Sequence, residues 1–284
     1  CETVIANIES AGLKADSIMK EYGPDQYEVV IGPEEGVRSA DAAVIVREIV
    51  RSTARHMMEE VTFTPIRDPD SVGNGVHIHM SFIDDEGIPK TFDPDGNCGM
   101  SKLTDSFVAG VLKYLDSILA LTAASVISYF RLTPHRWSAA YNNLGLRDRE
   151  ASVRICPVTA KDPTTLANQF NIEYRAADSS ASPHLALAAI VHAGAQGIEE
   201  GLKSPNATEE DLSLLSSADL NNRGFIRLPE TLEEAITKMS KNEVLRSWFP
   251  ESFIDVYNAH KRSEMEYLKD MTDLSICAEY ERTY

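Results

Sequence analysis

The segment Gly75-Val-His-Ile-His-Met-Ser-Phe82 has the strict alternation of polar and apolar residues that is typical of a β-strand. Because successive side chains of a strand point to opposite faces, His77, His79 and Ser81 share one face. The intervening apolar residues share the other face, which we expect to pack on the core. The polar face carries two imidazoles, so the segment predicts a strand with one chemically active side.

Three further segments, 26–31, 151–157 and 169–175, show the same period of two. In the first, Tyr27, Val29 and Ile31 form the expected core face. The polar faces of the three segments carry Glu28; Ser152, Arg154 and Cys156; and Gln169, Asn171, Glu173 and Arg175. Four strands whose polar sides are rich in carboxylate, imidazole and guanidinium groups indicate a shared site.

The segments between and after these strands have the apolar periodicity of helices. A helix capped by Ser39 is predicted to run to about Glu60, and three further helical regions cover 104–128, 184–202 and 230–270. Strand and helix do not alternate regularly, which favours an α+β fold with a mainly antiparallel sheet backed by helices over a parallel barrel. No repeat or linker divides the chain, so one domain is expected.

The composition excludes some classes of protein. A formal net charge of −17 would repel a phosphate backbone, which argues against general nucleic-acid binding and requires local arginines for any anionic substrate. The four cysteines are widely scattered without a CxxC pair, so a reducing cytoplasm is the expected compartment. The longest apolar runs are too short and too interrupted to span a bilayer.

The residue types on the polar faces point to a particular chemistry. Carboxylates and imidazoles bind metals, whereas arginines bind phosphate and carboxylate groups. A site that holds both suggests phosphoryl transfer, in which divalent cations and guanidinium groups neutralise phosphate charge. Ligands that are mostly carboxylates, with a single imidazole, favour Mg²⁺ or Mn²⁺ over zinc. Each residue alone is more often a solvated surface group, so the prediction depends on their joint occurrence.

The HxH pair at 77–79 has two other interpretations. Cupins place a glutamate four or five residues after the pair, but Ser81 and Phe82 occupy the nearby positions here. Metal-dependent amidohydrolases place HxH on the first strand of a βα barrel, which requires the regular alternation of strand and helix that this sequence lacks. Both interpretations are weak.

Six segments, taken together and in this order, resemble the glutamine synthetase family over nearly the whole chain. They are Glu21-Tyr-Gly-Pro-Asp-Gln-Tyr-Glu28, Gly75-Val-His-Ile-His-Met-Ser81, Arg131-Leu-Thr-Pro134, Ser152-Val-Arg-Ile-Cys-Pro157, Ile172-Glu-Tyr-Arg-Ala-Ala-Asp178 and Pro183-His-Leu-Ala-Leu-Ala-Ala189. The resemblance implies a guanido kinase-like catalytic domain over residues 1–284. It also implies that the small N-terminal domain and the first part of the catalytic domain would lie before Cys1.

The resemblance assigns roles to positions of this sequence. The matching metal ligands, for two or more Mg²⁺ or Mn²⁺ ions, are Glu21, Glu28, His77 and Glu173. The matching ATP contacts are His79, Ser81 and Arg154. The matching positions around glutamate and its acyl phosphate are Gly73, Arg131, Trp137, Arg149 and Arg175. Among these, Arg149 corresponds to the catalytic arginine that stabilises the transferring γ-phosphate.

The activity that the resemblance implies is the ATP-dependent activation of the γ-carboxylate of glutamate as an acyl phosphate, which a nitrogen nucleophile then attacks. Trp137 stands where the family has a glutamate that helps to bind ammonium. An aromatic ring there favours a larger or alkylated amine through apolar and cation–π contact, although it could also simply pack the loop. A glutamate–amine ligase is therefore the leading hypothesis. Glutamine synthetase proper, using ammonia, and a non-catalytic assembly protein of the same family remain alternatives.

The family also implies how such a protein assembles. We expect a homo-oligomeric ring whose active sites are shared between subunits, with no membrane or nucleic-acid partner. Because the part before Cys1 completes those sites in the family, we expect the residues 1–284 alone to be inactive.

Overall fold

Six β-strands and eleven α-helices form the structure, a computed structural model that describes residues 1–284. The strands are β1 (Ala15–Lys20), β2 (Tyr27–Ile31), β3 (Ile78–Met80), β4 (Leu144–Leu146), β5 (Val153–Ile155) and β6 (Ile172–Tyr174). The helices are α1 (Glu2–Ser10), α2 (Val37–His56), α3 (Lys102–Thr122), α4 (Ser128–Arg131), α5 (Pro163–Gln169), α6 (Pro183–Glu199), α7 (Ser217–Asn222), α8 (Leu232–Lys241), α9 (Glu243–Ser247), α10 (Phe253–Leu268) and α11 (Asp273–Thr283).

The central sheet has four strands in the order β3, β6, β5, β4. The pairs β3–β6 and β5–β6 are antiparallel, whereas β4 and β5 are parallel. The predicted α+β fold with a mainly antiparallel sheet backed by helices is confirmed, and no barrel forms. Strand β4 was not predicted, because Leu144-Gly-Leu146 is short and shows no clear alternation.

The register of the central sheet places three polar residues side by side. Glu173 on β6 lies opposite His79 on β3 and opposite Arg154 on β5. Directly paired residues of neighbouring strands project to the same face. The pairing therefore collects on one face the imidazole, carboxylate and guanidinium groups that the alternation of three separate segments predicts.

Helices α3 and α6 pack closely behind this sheet. A Cβ atom added at Gly110 would lie 2.2 Å from the carbonyl oxygen of Ala193 and 2.7 Å from the Cα of Gly197. A Cβ added at Gly194 would meet the Phe107 ring at 2.1 Å. These glycines allow the two helix backbones to approach, and α3 is buried along most of its length as a result.

Helix α3 ends before the predicted position near Ser128. Its N-cap is Ser101, whose hydroxyl accepts a hydrogen bond from the Thr104 N–H, and the helix ends at Thr122. In the segment that follows, Ser125 and Ser128 exchange hydrogen bonds between hydroxyl and backbone N–H groups at 3.2 Å. Serine hydroxyls that bond to nearby backbone compete with helical hydrogen bonds, which explains the break.

The first two strands form a hairpin that is separate from the central sheet. Strand β1 was not predicted, and the prediction that Tyr27 faces the core is wrong, because its side chain is 55% exposed. The physical reason is that β2 pairs only with β1, and no residue of the hairpin belongs to the buried core.

Several element boundaries differ from those predicted. Helix α2 begins at Val37, and the hydroxyl of Ser39 donates to the Gly36 carbonyl from within the first turn, so Ser39 is not the N-cap. Gln169 closes helix α5 instead of starting a strand. The helices predicted over 230–270 are present as α8, α9 and α10. None of the helices is both long enough and apolar enough to cross a membrane.

Candidate active site

Glu173 is the centre of the polar face, although only 2% of its side chain is exposed. Its Oε2 lies 2.8 Å from Arg154 Nε and its Oε1 lies 2.5 Å from Arg175 Nη1. The imidazoles contribute His77 Nδ1 at 3.2 Å and His79 Nε2 at 3.7 Å, both measured to Oε1. A buried carboxylate is stable only when it is paired, and two arginines provide that pairing here.

The hairpin brings two more carboxylates to the same region. Glu21 follows β1 and Glu28 lies on β2, and the two carboxyl groups are close enough to share a hydrogen bond. Burial raises the pKa of Glu28, and so do the hydrogen bond and charge of Glu21 and the charge of Glu173. Among the four predicted metal ligands, His77 Nδ1 lies 3.2 Å from Glu173 Oε1, and the charges of Glu21 and Glu173 both act on Glu28. Three carboxylates with one imidazole form a donor set that fits Mg²⁺ or Mn²⁺.

The imidazole of His77 is held in its neutral form. Burial lowers its pKa well below the ordinary value, and the positive charges of Arg175 and Arg131 lower it further, followed by those of His79 and Arg154. A neutral imidazole keeps one nitrogen lone pair free, which is the form that binds a metal ion.

The outer side of the centre is formed by His79 and its neighbours. His79 Nδ1 lies 2.9 Å from Asn171 Oδ1 and 3.5 Å from Cys156 Sγ. Burial, followed by the charge of Glu173, raises the pKa of the Cys156 thiol to about 11. The alternation places Cys156 and Asn171 on the active face, but sequence reasoning assigned no role to either. Ser81 is exposed, one residue beyond the end of β3.

Arg131 is almost completely buried, with 2% of its side chain exposed. Its Nη1 donates to Ser138 Oγ at 2.9 Å, and its Nη2 donates to the carbonyls of Ala176 and Ala177 at 2.9 and 3.0 Å. Its Nε has no hydrogen-bond partner, and Asp178 Oδ2 lies 3.8 Å away. The guanidinium therefore holds the chain after β6 and leaves one unused N–H donor at Nε.

The backbone at Gly73 lies directly against this arginine. A Cβ at position 73 would stand 2.3 Å from Arg131 Cγ and 2.9 Å from the Pro65 carbonyl, so only glycine fits. Gln26, in the turn of the hairpin, donates from Nε2 to the Gly73 carbonyl at 3.0 Å and also bonds to the Asn74 side chain. One amide thus joins the hairpin carboxylates to the predicted glutamate-binding loop.

Trp137 lies in a loop over residues 133–138, called the Trp137 loop below. His135 and Trp137 have φ angles of 61° and 55°, and Glu150 stabilises this strained backbone by accepting their N–H groups at 3.1 and 3.4 Å. The Trp137 ring is 41% exposed and contacts the Tyr22 ring, with centroids 4.0 Å apart. Sequence reasoning assigned no role to Tyr22 or Glu150. Tyr22 contacts the Trp137 ring from a segment that is distant along the chain, and Glu150 contacts the loop from another loop. No local sequence pattern indicates either contact.

Arg149 connects the Trp137 loop to the Glu173 centre. Its guanidinium carbon lies 5.5 Å from the centre of the Trp137 ring, and its carbonyl accepts a hydrogen bond from Arg175 Nε at 2.9 Å. Arg175 Nη2 also reaches the Trp137 carbonyl at 3.3 Å. Arg149 forms no ion pair within the chain and is exposed, so its charge is available to an anionic ligand.

The fold and the site define an α+β catalytic-type domain in which carboxylates, imidazoles and arginines converge on one sheet face. The family model described as "Glutamine synthetase, catalytic domain" matches residues 1–279. The chain therefore belongs to the glutamine synthetase family of ligases.

Relatives and a solved structure give the same result. A γ-glutamylpolyamine synthetase, GlnA3, of Streptomyces coelicolor is 33% identical over 282 residues, which are 99% of this chain and 59% of that protein. A type-1 glutamine synthetase of Dictyostelium discoideum is 31% identical over 96% of this chain and 52% of its own length. The crystal structure of a glutamine synthase homologue superposes with a TM-score of 0.88 at 38% identity, over 99% of this chain and 62% of that one. The chain thus spans between half and two thirds of the length of these proteins.

Proposed function

We propose that residues 1–284 carry the catalytic domain of an ATP-dependent ligase that joins an amine to the γ-carboxylate of glutamate. The observation that supports this most directly is the cluster of His77, Arg154 and Arg175 around Glu173, with Glu28 close enough for the charge of Glu173 to raise its pKa. That arrangement pairs a cation-binding region with phosphate-binding groups on a single sheet face, as phosphoryl transfer requires.

In this proposal Glu21, Glu28, His77 and Glu173 hold two or more Mg²⁺ or Mn²⁺ ions. Such ions would neutralise the negative charge on the phosphate oxygens of ATP. His79 and Ser81 lie at the outer edge of the site, where they contact the nucleotide, and Arg154 contacts it from β5. Arg154 is paired with Glu173 in the structure. When the nucleotide binds, Arg154 therefore replaces part of this contact with a contact to a phosphate oxygen.

In this proposal the reaction has two steps. Glutamate lies along the Gly73 backbone, close to Arg131 and Arg175, and its γ-carboxylate oxygen attacks the γ-phosphorus of ATP. The bond from that phosphorus to the β-phosphate bridging oxygen breaks, and ADP leaves. The amine nitrogen next attacks the acyl carbon, loses a proton and displaces phosphate. The unpaired Arg149 stabilises the charge that develops on the transferring phosphoryl group.

The choice of an organic amine over ammonia rests on Trp137. A ring that is 41% exposed and stands beside Arg149 offers an apolar and cation–π surface to an alkylated amine. The similarity to a γ-glutamylpolyamine synthetase supports an organic amine, whereas the similarity to several glutamine synthetases supports ammonia. A non-catalytic assembly role is less favoured, because Glu21 and Glu28 are neighbouring carboxyl groups that disfavour each other's charged form unless a cation binds between them.

We expect a cytoplasmic homo-oligomeric ring in which a neighbouring subunit completes each active site, as the family resemblance implies. We also expect residues 1–284 alone to be inactive.

The decisive experiment measures phosphate release by the full-length protein with glutamate, ATP and Mg²⁺. We expect turnover with at least one organic amine to exceed turnover with ammonia. Turnover with ammonia that matches or exceeds turnover with every amine tested would identify a glutamine synthetase proper. Absence of turnover, together with absence of calorimetric Mn²⁺ and ATP binding, would identify a non-catalytic protein.

A further inference from the structure

A cavity with a volume of about 420 Å³ lies beside the Trp137 loop, whose residue His135 forms part of its wall. We call it the acidic cavity, because carboxylates dominate its wall and Arg147 is its only arginine or lysine. Those carboxylates are Asp148, Glu150, Glu209, Glu210 and Asp211. A concave surface with this charge balance attracts cations and repels the phosphate and carboxylate groups that the Glu173 centre is built to bind.

The cavity wall also contains an unused hydrogen-bond acceptor. Asn143 is 2% exposed and lines the cavity. Its Nδ2 donates to Thr208 Oγ1 at 2.8 Å and contacts Asp148 Oδ2 at 3.4 Å, but its Oδ1 has no partner. A buried carbonyl oxygen without a donor is costly, so this position favours a ligand that supplies N–H groups.

The acidic cavity is continuous with the Trp137 loop through shared residues. Glu150 lines the cavity and accepts the N–H groups of both His135 and Trp137. Two other residues of the wall are also in contact, since His135 Nε2 lies 3.0 Å from Ser213 Oγ. Along the chain, Asp148 and Glu150 flank Arg149, and consecutive Cα atoms are about 3.8 Å apart. The cavity wall thus includes both His135 of the Trp137 loop and Glu150, the residue that accepts hydrogen bonds from that loop.

The geometry of the carboxylates disfavours a single metal ion. The only cluster of three potential metal ligands whose atoms lie within 4.8 Å of one another is His79, Cys156 and Glu173, outside this cavity. Within the cavity, Glu210 is paired with Arg223 and Asp211 accepts from Ser213, so their oxygens do not converge. Dispersed negative charge with a free carbonyl suits an extended chain that bears several ammonium groups.

We infer that the acidic cavity binds the distal ammonium groups of an aliphatic diamine or polyamine whose reacting amine lies beside Trp137. This inference rests on the proposed ligase function and names the substrate class. Asn143 Oδ1 and the carboxylates at the cavity rim accept hydrogen bonds from the distal groups. The Trp137 ring contacts the methylene chain.

The test compares spermidine with n-propylamine as substrates of the full-length protein. The variants are Glu209→Gln, Asp211→Asn and the double substitution. Each removes a negative charge at the rim of the cavity and keeps the shape of the side chain. The side chain introduced by Asp211→Asn can still accept the capping hydrogen bond from the Ser213 N–H. We expect each single substitution to raise the ratio of the KM for spermidine to that for n-propylamine about fivefold, and the double substitution about twentyfold. Glu251→Gln, an exposed acid outside the cavity, is the matched control and should leave the ratio unchanged.

An unchanged ratio in the double variant would overturn the inference, as would equal use of both amines by the unaltered protein. Calorimetric titration of spermidine keeps the inference separate from the proposed function. If no amine or ammonia is ligated, the ligase proposal fails, and loss of spermidine binding in the double variant still supports the cavity. Spermidine binding that survives the double substitution, or its displacement by Mg²⁺ alone, counts against the cavity.

Discussion

The guanidinium carbon of Arg149 lies 5.5 Å from the centre of the Trp137 ring, in the range of a cation–π contact. Tyr22 packs against the same ring, with centroids 4.0 Å apart. The ring therefore contacts both the hairpin that carries Glu21 and the arginine that is proposed to stabilise the phosphoryl group. A change at Trp137 should alter the choice of amine without removing the metal-binding region.

Trp137→Glu should shift the preference of the full-length protein from organic amines towards ammonia. The carboxylate would attract a small ammonium ion and remove the apolar surface that an alkyl chain contacts. We expect the ratio of kcat/KM for ammonia to that for the preferred amine to rise at least about tenfold, a change of about 1.4 kcal/mol. Trp137→Phe is the control that keeps an aromatic ring, and an equal shift in both variants would contradict the assigned role.

Arg149→Ala should lower kcat far more than it raises the KM for glutamate. The negative charge that Arg149 faces grows in the transition state, so its removal costs more there than in the ground state. Steady-state kinetics with saturating ATP provide the measurement, and Arg149→Lys should recover part of kcat. Normal kcat with an increased KM would show that Arg149 only binds substrate.

Glu173→Ala should destabilise the fold by about 3–5 kcal/mol, because it leaves Arg154 and Arg175 buried without their shared partner. His77→Ala should cost less, since its imidazole is held neutral. Urea unfolding of the two variants gives the comparison, and Glu173→Gln separates loss of charge from loss of side-chain volume. Equal stability of Glu173→Ala and the unaltered protein would refute the pairing.

Cysteine alkylation should distinguish the four thiols. Burial raises the pKa of the Cys156 and Cys277 thiols to about 11, so very little reactive thiolate exists near neutral pH. We expect iodoacetamide to modify the exposed Cys1 first and to leave Cys156 and Cys277 intact, as measured by peptide mass spectrometry. Reactivity at the two buried positions should rise as the pH approaches 11. All four should react in denaturant, and rapid modification of native Cys156 would contradict this assignment.

Gly110→Ala should destabilise the domain by about 1–3 kcal/mol, because the added methyl group forces α3 and α6 apart. Thermal or urea unfolding measures the change. Val191→Ala, at an exposed position of α6, is the control and should change stability by no more than about 0.5 kcal/mol. A stable Gly110→Ala variant would mean that the two helices can separate at little cost.

The part of the site that could be predicted from sequence is the part that local alternation determines. His79, Arg154 and Glu173 lie on the polar faces of their segments, and the sheet brings those faces together. Strand length was overestimated, since only three residues of each segment form ladder pairs. The alternation of polar and apolar residues continues beyond the residues that form ladder hydrogen bonds. It therefore predicts which face a side chain occupies more accurately than it predicts where the strand ends.

The remaining features depend on contacts that no local pattern contains. Nothing in the sequence around Arg131 indicates that its guanidinium lies buried under Gly73 and bonds to the carbonyls of Ala176 and Ala177. The resemblance places Arg131 near the glutamate substrate, and the structure adds that its Nη2 already donates to two backbone carbonyls and its Nη1 to Ser138 Oγ. The stabilisation of the Trp137 loop by Glu150 is likewise a contact between two loops, whose geometry follows from tertiary packing.

The register of β3, β6 and β5 also determines which genetic changes this domain can accept. Side chains on a strand change face with every residue, so deleting or adding one codon within 153–155 would send Arg154 into the apolar layer and an aliphatic residue towards Glu173. A substitution changes one side chain, but an insertion or deletion of one codon moves every later side chain of the strand to the opposite face. In a deep mutational scan, single-codon indels in these three short strands should therefore be depleted more strongly than most substitutions at the same sites.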